Sequence, residues 1–170
     1  MAEELVVWHD FNVSVVTASA ALLGLLFVAL SIHMRVLSAR ENAELRAVAR
    51  TVFLAYVVSL AIGFLALMPQ TLWAFGLELL ALVLAATLPF AAAARDGFRA
   101  AGVGYDRRVT IVQFGAGIAL FVVSIVTAIA VATGDARALY AVGGIAVVNL
   151  LWGVFNTWEL IFRVQTVDAG

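Results

Sequence analysis

The polar residues that could do chemistry follow one face of the first apolar segment. Taken every three or four positions, this face is small or polar almost throughout: Asp10, Ser14, Thr17, Ala21, Gly24, Val28, Ser31 and Arg35. This spacing is that of one side of an α-helix. If several copies of the segment surrounded an axis, the face would line a narrow path. A ring of Asp10 carboxylates would then concentrate cations at one mouth, and Val28 would form the apolar constriction.

The same face also has a structural explanation, which is the more common one for helices of this kind. Small residues let helix backbones approach closely, and hydroxyl groups bond across helices, in many membrane interfaces. Asp10 could likewise serve only to cap the helix N-terminus. The charged groups at both ends of the face, Asp10 and Arg35, favour a path. We therefore predict pore-lining roles and keep close helix packing as the alternative.

A second polar stripe occupies the last apolar segment. Its members again recur at intervals of three and four: Asn149, Trp152, Asn156, Glu159 and Arg163. Glu159 and Arg163 lie four residues apart and are expected to pair near the membrane boundary. The two asparagines are expected to bond to neighbouring helices, although a substrate site would use the same residue type.

Glu78 is an acid inside an apolar segment with no basic residue nearby in the sequence. A carboxylate at lipid depth is costly, so Glu78 is neutral, paired with a group such as Gln70 or Tyr140, or functional. Structural and functional roles stay open. With Asn149 and Asn156 it could form the midplane site of a small transporter.

Several chemistries are excluded or unsupported. The chain has no cysteine, and its ten basic residues are all arginine, which removes thiolate sites, lysine Schiff bases and lysine-dependent phosphate loops. His9 and His33 lie 24 residues apart on one helix, about 36 Å, and cannot share a metal ion. A net charge of −1 argues against a nucleic-acid partner. We expect no enzyme activity, no metal site and no cofactor.

Membrane-spanning helices must position these residues. The chain is 65% hydrophobic and 12% charged, and its mean hydropathy is +1.09, so its apolar surface exceeds what a water-soluble domain of this size can bury. A helix needs about 20 apolar residues to cross a bilayer. Five stretches qualify, at about 11–33, 51–68, 71–94, 109–133 and 138–162. We predict one all-α domain, a bundle of five transmembrane helices. Ser38 and Glu41 form a capping-box pattern that favours a start of the second helix near Ala39.

The arginines predict the orientation of the bundle. With five spans, nine of the ten fall on one side: Arg35, Arg40, Arg46, Arg50, Arg95, Arg99, Arg107, Arg108 and Arg163. Only Arg137 falls on the other side. Since basic residues collect on the cytoplasmic side, we predict an outer N-terminus and a cytoplasmic C-terminus in the bacterial inner membrane. The leader at residues 1–5 is acidic, which argues against a cleaved signal peptide.

The first segment also carries a resemblance. Trp8-His9-Asp10-Phe11, followed by an Ala-Leu-Leu-Gly-Leu-Leu-Phe-Val-Ala-Leu-Ser-Ile run that ends at Ile32, resembles a group of small, poorly characterised bacterial multi-pass membrane proteins. The resemblance covers the first span and the overall size. It implies a small multi-pass membrane protein and transfers no activity to the chain.

These patterns favour a small homo-oligomeric ion channel that prefers cations, with the first helix lining the path. A non-catalytic accessory or regulatory subunit of a larger membrane complex is the alternative, and a small secondary transporter is a third hypothesis. The expected partners are membrane lipids, further copies of the chain and inorganic ions. In the accessory hypothesis, another membrane protein is a partner too.

Overall fold

The computed structural model describes residues 3–39, 42–100 and 107–168, and these residues form helices and short connections with no strand. In chain order the helices are α1 Glu3–Val7, α2 His9–Ile32, α3 Met34–Ser38, α4 Ala43–Leu67, α5 Leu72–Ala100, α6 Arg107–Ala132 and α7 Ala138–Asp168. Five of them, α2 and α4 to α7, contain stretches long and apolar enough to cross a membrane. The predicted all-helical fold is confirmed, and the number of helices that could cross a membrane agrees with the five predicted spans.

Two of the long helices extend past their predicted ends. α5 continues through Pro89 to Ala100 instead of ending near Ala94, and α7 runs to Asp168 instead of ending near Phe162. The apolar stretch decides how much of a helix can lie in lipid, whereas alanine and arginine sustain the helix beyond it. The hydropathy pattern therefore marks the span and not the full helix.

The start of α4 differs from the prediction. The helix begins at Ala43, and Ala39 is extended, with φ −63° and ψ 139°. Side chains of α4 and its N-cap satisfy the last carbonyls of α3, since the Asn42 amide donates to the carbonyl of Val36 and Arg46 donates to those of Leu37 and Ala39. These bonds let α3 end where it does. Of the proposed capping box, Glu41 lies outside the described residues.

α4 is the central helix of the bundle. It packs against α2, α5 and α7, while α6 packs mainly on α5 and more lightly on α7. Two buried apolar clusters form at opposite ends. One collects residues from the start of α2, the end of α4 and the start of α5, such as Val15, Ile62 and Phe75. The other joins Leu26 near the end of α2 to Val52 in the first half of α4. Consecutive spans are therefore antiparallel.

We name the two ends of the bundle by what they carry. The turn end holds α1 and the connections 68–71 and 133–137, and the arginine end holds α3, the start of α4 and the end of α7. At the arginine end, Arg50 lies 3.3 Å from a carboxylate oxygen of Asp96 and joins α4 to α5. The side chain of Arg50 is 61% exposed and that of Asp96 is 35% exposed, so solvent screens this ion pair and it contributes little to stability.

Two glycines allow close contacts between the central helix α4 and its neighbours α2 and α7. A Cβ atom on Gly63 of α4 would lie 2.6 Å from the Val16 Cγ2 atom of α2, and a Cβ on Gly153 of α7 would overlap the ring of Tyr56 on α4. Substitution at either position would push α4 away from a neighbour. Both glycines therefore set how closely the central helix is packed.

Candidate functional site

The small and polar face predicted on the first helix points away from the bundle. We call it the exposed α2 face, and its members are Asp10, Ser14, Thr17, Ala21, Gly24, Val28 and Ser31; these residues and the predicted member Arg35 are all exposed. Val15 and Leu26 lie on the opposite side of the helix and are buried against the bundle. Only 17% of the most apolar stretch of α2 is buried, whereas 44% of the corresponding stretch of α4 is buried. The exposed α2 face is thus the outer surface of a peripheral helix.

The hydroxyl groups of this face are already hydrogen-bonded. Ser14 donates to the carbonyl of Asp10 at 2.9 Å, Thr17 to that of Val13 at 2.8 Å, and Ser31 donates four residues back in the same way. Such bonds within one helix remove the need for a partner from another helix. The face can therefore meet lipid or a second copy of the chain without leaving these hydroxyl groups unsatisfied.

Gly24 lies in the middle of the exposed α2 face. A Cβ atom added there would meet nothing within 4 Å among the described residues. The fold of a single chain therefore does not require a glycine at this position. A close contact between α2 and a helix of another molecule, in contrast, would require a glycine at this position.

Asp10 does not cap α2. The N-cap position is Trp8, whose side chain makes no capping hydrogen bond in the described part of the chain. Asp10 lies in the first turn of α2, where a carboxylate still interacts favourably with the helix dipole. Trp8 packs edge-on against Phe11 and against Tyr140 at the start of α7, with ring centres 5.4 Å and 4.9 Å apart.

Arg35 is not on α2, and the prediction of one continuous helix from Asp10 to Arg35 is wrong. α2 ends at Ile32, and His33 has φ −101° and ψ 18°, outside the helical region. Arg35 lies on the short helix α3. It is still exposed, beyond the arginine end of the exposed α2 face.

The stripe on α7 contains the one predicted pair that the structure confirms. Arg163 donates to the Oε1 atom of Glu159 at 2.6 Å and 3.0 Å. Asn156 is buried, and its amide donates at 2.7 Å to the carbonyl of Trp152 in its own helix. Asn149 is only 9% exposed and makes no side-chain hydrogen bond to the described residues.

Glu78 is half-buried near the turn end of α5. Its Oε2 atom is enclosed and has no hydrogen-bond partner among the described residues. No hydrogen bond joins Glu78 to Gln70 or Tyr140 among the described residues, and the Gln70 amide donates instead to the carbonyl of Leu65 at 2.6 Å.

A cavity of about 380 Å³ lies between α4, α5, α6 and α7. Its wall is largely apolar and includes the aromatic rings of Phe90, Phe114 and Phe121, with Asn149 as a polar member. Glu78 and Asn156 are not in the wall, so the three residues considered for a midplane transporter site do not share this cavity. The light contact between α6 and α7 leaves room for the cavity.

Sequence reasoning missed the polar residues on the packed side of α2 and on α4. Asn12, Ser19 and Ser59 are buried, at 6%, 0% and 0% exposure, and Tyr56 shares a hydrogen bond of 3.2 Å with Thr157 on α7. The spacing of Asn12 and Ser19, seven residues apart, was a usable signal, because it places both on one helix face. The position of Ser59 gave no such signal.

Comparisons with protein-family models, with curated proteins and with solved structures find no match to this chain. The fold and the two candidate sites, the exposed α2 face and the cavity, therefore stand on their own geometry.

Proposed function

We propose that the chain assembles as a homo-oligomer through the exposed α2 face and conducts inorganic cations along it. The observation that carries the proposal is the position of this face, which lies opposite the packed side of a peripheral helix and is left uncovered by the other described residues. Small side chains allow copies of α2 to approach closely around a shared axis. The other four spanning helices would then surround the central path.

In this assembly Asp10 supplies the selectivity. It is exposed in the first turn of α2 and forms no ion pair with the described residues, so no cation among them compensates its charge there. One carboxylate from each subunit would form a ring whose combined field attracts cations and repels anions. Ser14 and Thr17 follow along the path, and Val28 forms the apolar constriction.

The proposal includes an orientation and a location. The turn end, with α1 and Asp10, faces outward, and the arginine end faces the cytoplasm, because most arginines of the chain lie there. The membrane is the bacterial inner membrane, with the lipids around the outer helices as the other partner.

Asp10→Asn in purified protein tests the channel in planar bilayers. The substitution removes the charge of the ring but keeps a residue that is well accepted at a helix start. We expect a lower ratio of cation to anion permeability at nearly unchanged thermal stability. Asp135→Asn is the matched control, because Asp135 is an exposed acid at the same end but lies in the α6–α7 connection. That variant should keep the wild-type ratio.

Two results would contradict the proposal. Wild-type protein that conducts nothing across a range of voltages and ions would favour the accessory subunit, and capture of a stoichiometric membrane partner would then identify its complex. Conduction with unchanged selectivity in Asp10→Asn would place the path away from the exposed α2 face.

A further inference from the structure

The wall of the cavity between α4, α5, α6 and α7 has the largely apolar composition of a ligand site and not the polar one of a water-filled path. Its volume of about 380 Å³ falls within the range of small-molecule pockets. Its wall carries Phe90, Phe114, Phe121 and Trp152, and it contains no charged side chain among the described residues. It therefore suits an uncharged molecule that dissolves in the membrane.

Besides the indole N–H of Trp152, Asn149 provides the one polar side chain of this wall that makes no hydrogen bond to the described residues. The Thr51 hydroxyl donates to the carbonyl of Val48 and the Ser124 hydroxyl to that of Leu120, each at 2.8 Å within its own helix. The Asn149 amide is nine-tenths buried and makes no hydrogen bond to the described residues. A ligand that accepts a hydrogen bond from this amide should therefore bind more tightly than an apolar molecule of the same shape.

We propose that the cavity binds a neutral lipophilic molecule with a carbonyl group on a planar ring, the chemistry of a quinone. The aromatic side chains would pack on the ring, and the Asn149 amide would donate to the carbonyl oxygen. A plain acyl chain would fill the space but leave the amide unpaired. This site is separate from the exposed α2 face and does not depend on conduction.

Quenching of tryptophan fluorescence tests the site, because Trp152 lies in the cavity wall. A variant that keeps only Trp152, with Phe at the other three positions, is reconstituted in nanodiscs and titrated with a naphthoquinone that carries a short isoprenoid tail. A variant that keeps only Trp158, 65% exposed on the same helix, reports collisions with quinone dissolved in the lipid. We expect saturable quenching of Trp152 and only linear quenching of Trp158.

Two substitutions then identify the contacts. Asn149→Leu keeps the volume but removes the hydrogen bond, and it should weaken binding about five- to tenfold. Ala86→Leu should abolish saturable quenching because Ala86 lines the cavity, whereas Ala85→Leu, one residue earlier and exposed, should not. Circular dichroism confirms that each variant is folded.

Three results would overturn the proposal. The first is linear quenching of equal strength at both tryptophans. The second is wild-type affinity in both Asn149→Leu and Ala86→Leu. The third is displacement of the quinone by a saturated fatty acid with equal strength in wild type and Asn149→Leu, which would assign the cavity to an acyl chain.

Discussion

Gly153 sets the distance between α7 and the central helix. A methyl group at this position would overlap the ring of Tyr56, which is 1% exposed and whose hydroxyl group bonds to Thr157 one turn further along α7. Gly153→Ala must therefore displace the ring or separate α4 from α7. Overpacking of this kind usually lowers the free energy of unfolding by about 1–3 kcal/mol.

Gly144→Ala is the matched control on the same helix, because an added Cβ there meets nothing within 4 Å among the described residues. It should be neutral or slightly stabilising, as alanine favours a helix over glycine. Thermal unfolding in detergent compares the two variants. Equal unfolding temperatures would mean that α4 and α7 are not in contact at this point.

Single residues differ in how much of their role the sequence predicts. The contact of Glu159 with Arg163 could be predicted because it is made within one helical turn and needs no other element. The surroundings of Glu78 and Asn149 could not, since they depend on which helices pack against α5 and α7. The sequence shows that a polar residue in an apolar segment needs a partner or a role, and only the packing of the helices shows which groups surround it.

At the scale of single elements, α2 is the helix that periodicity describes best. The predicted small and polar positions from Asp10 to Ser31 are exposed, and Val15 and Leu26 on the other side are buried together with the polar residues Asn12 and Ser19. The periodicity did not predict the break at His33. Nor did it predict the end of α3, where Asn42 and Arg46, which lie further along the chain, donate hydrogen bonds to the carbonyls of Val36 and Leu37.

Gly24→Leu tests whether the exposed α2 face contacts other copies of the chain or meets only lipid. Nothing in the described chain contacts a side chain at this position, so the variant should fold as the wild type does. If copies of α2 meet at this face, a bulky residue pushes their backbones apart and weakens assembly. Size-exclusion chromatography with light scattering, in nanodiscs or mild detergent, measures the change. We expect a shift from oligomer to smaller species.

Gly144→Leu provides the control for Gly24→Leu, because it adds the same side chain to an equally open position on α7. It should leave the oligomer intact. If neither variant changes assembly or conduction, the exposed α2 face meets only lipid, and assembly through this face is excluded.

For the molecule as a whole, the apolar composition predicted the number of spans, whereas the spacing of individual residues did not predict the cavity. The number of spans follows from apolar length, which is a local property. The cavity does not, because it arises where α6 packs on α5 and only lightly on α7, leaving space beside the central helix. Residues that line it come from four helices, and no spacing along the chain brings them together.

The orientation of the whole bundle is the last prediction, and the antiparallel arrangement makes it testable at three positions. The connections 68–71 and 133–137 lie at the same end of the bundle, and the end of α7 lies at the other. A reporter that is active only outside the cytoplasm should therefore work when inserted after Gln70 and also after Gly134. A reporter that is active only in the cytoplasm should work after Gly170. Activity at all three positions requires an even number of spans between the two insertions and an odd number after Gly134, with the arginine end inside, as the arginine distribution demands. Reversed activities at all three would keep this arrangement but invert the bundle, and would move Asp10 to the cytoplasmic mouth. Disagreement between the two insertions would instead contradict the antiparallel packing of α5 and α6.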